Sequence, residues 1–314
     1  MLSPIHCVAC RPWAISADLA AHVHGLLLKE GTPALRHLAA VKSIVHSREI
    51  ESSRNAPKRD DSIVAVVQVI GTLTRQAHVI NSELTRSTDD IAHEVTTFAA
   101  EPSVEAIVLE LDTPGGEVFG MPEAFAAIRA AARQKPVIAS VNSIAASGGY
   151  YLGAAADEFF VNPSGRVGSI GVFALHVDQS KWLESEGEKW AFISAGKHGA
   201  EGNTSQPLSD EASASLQIAV DRYYEMFVRD VARGREVSVE KVRTGFGDGR
   251  MLTAKAAREE GMIDGIGTLD DAIARAAQLG QARRDSSGAR VSSAALLGSL
   301  ANREGTRHPP FRSS

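Results

Sequence analysis

Several features that define other classes of protein are scarce in this chain of 314 residues. Its two cysteines, Cys7 and Cys10, have C-x-x-C spacing but no second pair, so neither a zinc site nor a disulfide framework is indicated. Aromatic residues make up 5% of the chain, no basic cluster is interleaved with them, and the formal net charge is -5. This composition argues against nucleic acid as the partner, and no metal or cofactor is expected.

Long hydrophobic runs are also missing. No apolar stretch approaches the roughly 18 residues that a membrane-spanning helix needs. The first residues lack a basic segment followed by a long apolar one, which a secretory signal would show. We therefore expect a cytoplasmic protein without a stable membrane anchor.

The most informative stretch present lies at residues 141–153, V-N-S-I-A-A-S-G-G-Y-Y-L-G. The preceding run at 136–141 is short and β-branched, which predicts a buried strand, and the small residues at 146–156 predict a closely packed helix. Ser147 then lies at the N-terminus of that helix, where free backbone N–H groups favour a developing oxyanion. Gly148 allows the backbone to approach a substrate carbonyl closely.

A second glycine pair, Gly115 and Gly116, follows another predicted strand at 104–111 and precedes a predicted helix at about 121–133. The carboxyl ends of adjacent parallel strands open on one crevice, so these amides are expected to face Ser147. Each motif alone is also compatible with a tight turn or with simple helix packing. Together, in this order, they indicate acyl transfer.

These motifs resemble those of the signal peptide peptidase A family of serine peptidases, and within it the phage minor capsid, or prohead, proteases. The matching segments extend over roughly residues 63–280 and are L-D-T-P-G-G at 111–116, A-A-S-G-G-Y-Y at 145–151, R-V-G-S-I-G-V at 166–172, H-V-D-Q-S at 176–180 and E-G-N at 201–203. The resemblance implies an α/β, crotonase/Clp-protease-like fold with repeated ββα units. It also implies a Ser-Lys dyad, with Ser147 as nucleophile and an oxyanion hole from Gly115, Gly116 and Gly148.

The general base is less well defined, because Gly199 occupies the position of the family's lysine in an ungapped alignment. Lys197 lies two residues earlier and, in an extended segment, would point to the same face about 6–7 Å away. Lys197 is therefore the candidate base, although a lysine in such a polar stretch is commonly just solvated. His198 is the alternative base, oriented by Glu201, since imidazole titrates near neutrality.

Other interpretations remain open. His176 and Asp178 could complete a Clp-type triad with Ser147, although the resemblance gives them no such role. A crotonase-like enzyme acting on acyl-CoA would share the two glycine turns but has no use for the serine. A catalytically impaired assembly scaffold, or a peptidase that degrades signal peptides, would have the same fold.

The chain divides into three predicted regions. Residues 1–60 read as an N-terminal helical arm, from Ser16 to about His46, and a polar linker. Residues 61–280 form the peptidase domain, with a strand predicted at 190–193 and an extended edge at 168–173 that is either core or able to pair with an extended substrate. Residues 281–314 read as a disordered basic tail.

The resemblance also implies partners and a location. The expected substrate is a protein or peptide, which in the phage branch is a scaffold, capsid or portal protein of the assembling prohead. A homo-oligomer is expected, because active sites where subunits meet are typical of single-domain relatives.

Overall fold

The computed structural model describes residues 12–15, 63–80 and 83–304 as a mixed α/β structure, in agreement with the predicted fold class. The described strands are β1 (Pro12–Ile15), β2 (Ile63–Ile70), β3 (Leu73–Thr74), β4 (Val79–Ile80), β5 (Glu83–Leu84), β6 (Arg86–Ser87), β7 (Val104–Thr113), β8 (Gly115–Glu117), β9 (Val137–Ala146), β10 (Glu158–Val161), β11 (Arg166–Gly168), β12 (Phe173–Ala174), β13 (Met251–Thr253) and β14 (Gly265–Ile266).

The described helices are α1 (Thr88–Ala100), α2 (Met121–Gln134), α3 (Gly148–Gly153), α4 (Ser180–Ser185), α5 (Asp210–Gly234), α6 (Val239–Thr244), α7 (Ala254–Glu259) and α8 (Leu269–Glu304). Within the described ranges, no helix combines the length and the apolar character required to cross a membrane.

A seven-stranded sheet forms the centre of the domain. β2 pairs with β7, β7 with β9, and β9 with β10, all in parallel, and these strands carry near-continuous apolar runs because both faces of the sheet are covered. Helices α1, α2 and α3 pack on one face with the larger core cluster, while α8 covers β7 and β9 on the other face. The elements β7, β8 and α2 make one ββα unit.

Strand β9 determines where the site lies. Its first half pairs with β10, and its second half, at Ile144–Ala146, pairs with β11, which in turn pairs antiparallel with β13. The chain leaves β9 at Ala146 and enters α3 directly, so the junction between them lies beside the end of β7.

A second, five-stranded sheet adjoins this end of the domain, in the order β12-β1-β8-β3-β6. β3 pairs in parallel with β8 and with β6, whereas β1 is antiparallel to both of its neighbours. β1 was not expected from the sequence. The predicted helical arm at 16–46 and the polar linker that follows it lie outside the described residues.

Two expectations differ from the structure. Residues 190–193 form no strand. Trp190, Phe192 and Ile193 are exposed, and none of the described strands pairs with this segment. The tail expected to be disordered from residue 281 is instead helical as far as Glu304. Two of its basic residues find acceptors on the domain, since Arg283 donates to the Ala132 carbonyl and Arg284 pairs with Glu105.

Helix α3 is anchored by two tyrosines that follow the glycine pair. The fully buried Tyr150 donates to the Met262 carbonyl at 2.9 Å and packs against the rings of Phe159 and Phe246. Burial raises the pKa of Tyr150, so its hydroxyl stays protonated and remains a donor. These contacts hold the short helix in place beneath the site.

We predict that Tyr150→Phe destabilises the domain by about 1–3 kcal/mol, because the buried Met262 carbonyl loses its donor. Urea unfolding followed by tryptophan fluorescence measures the change. Tyr223→Phe is the matched control, since in the described structure the Tyr223 hydroxyl has no hydrogen-bond partner. Equal stability of the two variants would contradict the anchoring role of Tyr150.

Candidate active site

Ser147 lies at the junction between β9 and α3 and is fully buried. Its backbone N–H donates to the Gly168 carbonyl at 2.7 Å, which ties the junction to β11. The backbone has φ 50° and ψ -110°, outside the regions that a serine ordinarily adopts. Such strain persists only when the surrounding structure imposes it, and it is typical of a nucleophile at a strand-to-helix turn.

The two glycines after Ser147 allow this packing. A Cβ at Gly148 would lie 2.5 Å from Cε of Met121, and a Cβ at Gly149 would lie 2.6 Å from Cγ2 of Thr113. No ordinary side chain fits at either position without moving its neighbours. As predicted from the sequence, small residues let α3 pack closely, here against β7 and α2.

The structure brings the two predicted glycine motifs together. The Cα of Gly115 is 3.5 Å from the position that a Cβ on Gly148 would occupy, and Gly115 has φ 95°. Gly116 approaches β3 so closely that a Cβ there would overlap the Leu73 carbonyl, at 1.8 Å. Gly148 is the first residue of α3, so its N–H has no acceptor within the helix.

Thr113 positions this turn, and sequence reasoning gave it no role beyond a place in the family motif. Its hydroxyl donates to the Gly71 carbonyl at 2.6 Å and accepts from the Gly115 amide at 3.1 Å. The side chain thus links the ends of β2 and β7 to the glycine turn. Because Thr113 also contacts Gly149, one residue touches both halves of the candidate oxyanion site.

No side chain of the described residues serves as a base for Ser147. The hydroxyl donates to the Gly171 carbonyl at 3.2 Å, and neither a lysine nor a histidine of the described chain is hydrogen-bonded to it. A peptide carbonyl accepts a hydrogen bond but is too weak a base to remove the serine proton. Among the described residues, the candidate nucleophile Ser147 is therefore held in place without a base beside it.

Lys197 lies on the surface in an ion pair with Glu211, with Nζ 2.6 Å from Oε1 and 72% of the side chain exposed. It belongs to an exposed segment, residues 188–199, that also carries Trp190, Phe192 and Ile193. An exposed pair of this kind contributes little to folding stability. This exposed position allows another molecule to contact Lys197.

His198 is likewise exposed, and its Nδ1 contacts Oε1 of Glu201, the residue expected to orient it. The hydrogen bond with Glu201 raises the pKa of His198 above its ordinary value. This shift favours the imidazolium form near neutral pH, and the imidazolium cannot accept a proton. In the described structure His198 is hydrogen-bonded to Glu201 and makes no hydrogen bond with Ser147.

The residues of the alternative triad are engaged elsewhere. His176 Nε2 is 3.0 Å from the Asn203 carbonyl, and Asp178 accepts from the Ser180 amide at 2.9 Å. These Ser180 contacts lower the pKa of Asp178. Neither side chain is hydrogen-bonded to Ser147 in the described structure.

An apolar pocket opens beside Gly148, and sequence reasoning did not identify it. The residues that line it are Val118, Met121, Pro122, Gly148, Tyr151, Val172, Tyr223, Met226 and Phe227. They come from four separate parts of the chain, so no single motif indicates the pocket. Helix α5 supplies three of them, Tyr223, Met226 and Phe227.

Comparison with known proteins agrees with this geometry. Residues 129–283 match the family described as Peptidase family S49. The chain is 32% identical over 198 residues to Protease 4 of Salmonella typhi, 34% over 179 residues to a putative protease of Synechocystis, and 31% over 212 residues to the capsid assembly protease C of Escherichia phage lambda.

These alignments cover 62%, 57% and 67% of this chain, and 32%, 64% and 48% of the relatives. The chain thus spans less than two thirds of the length of each relative. It belongs to peptidase family S49, with relatives in both the signal peptide peptidase and the phage branches, and the fold predicted from the resemblance is confirmed.

We predict that Glu201→Gln lowers the pKa of His198 toward its ordinary value of about 6.5, because the hydrogen bond to the carboxylate causes most of the upward shift. A raised pKa means that the contact stabilises the fold at acidic pH, and that this contribution is lost as pH rises through the raised value. Titration of the imidazole by NMR measures the pKa. Glu211→Gln is the control and should lower it less; an equal or larger effect there would contradict the assignment.

Proposed function

We propose that this protein is a serine endopeptidase in which Ser147 attacks the peptide carbonyl. The observation that most supports this is the buried, strained Ser147 beside Gly148 and Gly115. The Gly148 amide, with the Gly115–Gly116 turn, then stabilises the oxyanion of the tetrahedral intermediate. No metal or cofactor takes part in this chemistry.

The proposed base is Lys197, supplied by a neighbouring subunit. A lysine acts as a base only in its neutral form, and removal from water favours that form. In the single chain Lys197 is exposed and paired with Glu211, whereas the exposed Trp190, Phe192 and Ile193 of its own segment offer an apolar surface for association. Docking of that surface on a second copy would bury the lysine and separate it from Glu211.

This arrangement predicts complementation between two inactive variants, Ser147→Ala and Lys197→Ala. Each variant alone should cleave casein at least about 100-fold more slowly than the wild type, because it lacks nucleophile or base in every site. Co-refolding at equal amounts should restore about a quarter of wild-type activity, since half of the chains supply serine and half of their neighbours supply lysine.

A lysine acting within its own chain would give no recovery in the mixture. Full activity of Lys197→Ala alone would exclude this base and return attention to His198. A correctly folded, oligomeric wild type without activity, including toward an adjacent phage scaffold protein, would favour the impaired assembly protein of the same fold, which the glycine at position 199 also allows.

The apolar pocket beside Gly148 is the proposed specificity pocket. It adjoins the residue that follows the nucleophile and also contacts Val172, next to the Gly171 carbonyl that accepts from Ser147. A substrate carbonyl held at Gly148 places its own side chain in this space. We infer that the enzyme cleaves after apolar residues.

Met226→Asp tests this inference, because a carboxylate in the pocket must lose hydration when an apolar side chain enters. We expect kcat/KM for peptides with leucine before the cleaved bond to fall about 10- to 100-fold, with a smaller loss for lysine. Ile218→Asp, on the solvent-exposed side of the same helix, is the control and should change neither value. An equal loss for both peptides in Met226→Asp would argue against the pocket's role.

The proposed setting is the assembly of a phage or prophage head in the host cytoplasm or within the prohead, with a scaffold, capsid or portal protein as substrate. The similarity to the capsid assembly protease C of phage lambda supports this setting. The similarity to a putative signal peptide peptidase supports the alternative, the degradation of signal peptides.

A further inference from the structure

The strand β1 lies between the two segments that flank the candidate active site. On one side it pairs antiparallel with β8, with Trp13 opposite Glu117 and Ile15 opposite Gly115. On the other side it pairs antiparallel with β12, with Pro12 opposite Ala174 and Trp13 opposite Phe173. Four residues of the chain's own N-terminal region thus fill the gap between the glycine turn and the strand after Gly171.

The register brings the end of β1 to the nucleophile. Ile15 is opposite Gly115, whose Cα is 3.5 Å from the Cβ position at Gly148. Continuing the pairing with β12 by two residues places Ile15 level with Gly171, whose carbonyl accepts from the Ser147 hydroxyl at 3.2 Å. Both neighbours therefore place Ile15 beside Ser147.

We propose that β1 occupies the acyl side of the substrate groove and that the chain cleaves itself between Ile15 and Ser16. This inference rests on the proposed function, since it uses Ser147 as nucleophile. An extended peptide held as an added strand is bound mainly through its backbone, and the residue before the proposed cleavage, Ile15, is apolar, as the proposed specificity requires. The tether to the same chain gives the segment an effective concentration that a free substrate must exceed.

The chemistry of the step is that of ordinary peptide hydrolysis. Ser147 Oγ bonds to the Ile15 carbonyl carbon, its proton passes through the base to the Ser16 nitrogen, and the Ile15–Ser16 bond breaks. Water then attacks the ester, which restores the Ser147 hydroxyl and leaves a carboxylate on Ile15. The products are a peptide that ends at Ile15 and a chain that begins at Ser16.

Intact-mass and N-terminal analysis of the purified full-length protein tests the proposal during incubation at neutral pH. We expect the wild type to acquire an N-terminus at Ser16, while Ser147→Ala keeps its original one. Ala14→Pro should slow the truncation at least about 10-fold, because every N–H of a strand with neighbours on both sides faces one of them, and proline disrupts such a strand. Ala9→Pro, outside β1, is the control and should be truncated at the wild-type rate.

Cleavage of casein by the same samples separates this proposal from the proposed function. Casein cleavage with an intact N-terminus would overturn self-processing while the peptidase assignment stands. Truncation of Ser147→Ala, or equal truncation rates for the two proline variants, would also overturn it. A wild type that cleaves neither casein nor itself would overturn both.

Discussion

The backbone conformation of Ser147 is the constraint on which the rest of the site depends. A residue with φ 50° at the end of a buried strand is held only if both flanking elements are fixed. The Ser147 amide is fixed by the Gly168 carbonyl of β11, and the helix that follows is fixed by close contact of Gly149 with Thr113. A Cβ on Gly149 would lie 2.6 Å from Cγ2 of Thr113, so a side chain there requires the helix or β7 to move.

The same packing explains why the two glycine motifs function as one unit. Thr113 accepts from the Gly115 amide, donates to the Gly71 carbonyl and contacts Gly149. A shift of β7 would therefore move the turn and the nucleophile helix together. Thr113 thus ties the proposed nucleophile to the proposed oxyanion donors. Donors that are preorganised in this way lose little free energy to rearrangement during a reaction.

Much of the part of the site formed by Ser147 and the two glycine motifs is predictable from the sequence. A β-branched run followed by Ser-Gly-Gly gives the strand, the turn and the helix, since local pattern and packing favour the same structure. The pocket is not predictable, because Val118, Val172 and Met226 meet only through tertiary packing. β1 was missed because a four-residue strand is stabilised by its two partners and has no pattern of its own.

The position of Lys197 was the least predictable feature, and the reason is physical. In an extended segment, Lys197 would point to the same face as residue 199 and could replace a lysine there. The segment does not form a strand, so this alternation of side chains between two faces does not apply. A lone lysine buried beside Ser147 would have to fold in its neutral form, at the cost of desolvating it.

Keeping this cation exposed beside Glu211 in the single chain avoids that cost during folding. In the proposed oligomer, association offsets the cost of desolvating Lys197, because it can bury Trp190, Phe192 and Ile193 together with the lysine. Under this arrangement the nucleophile is built by folding and the base is added by assembly. In the proposed self-processing, β1 occupies the substrate groove between β8 and β12, so a free substrate binds only after that segment has left.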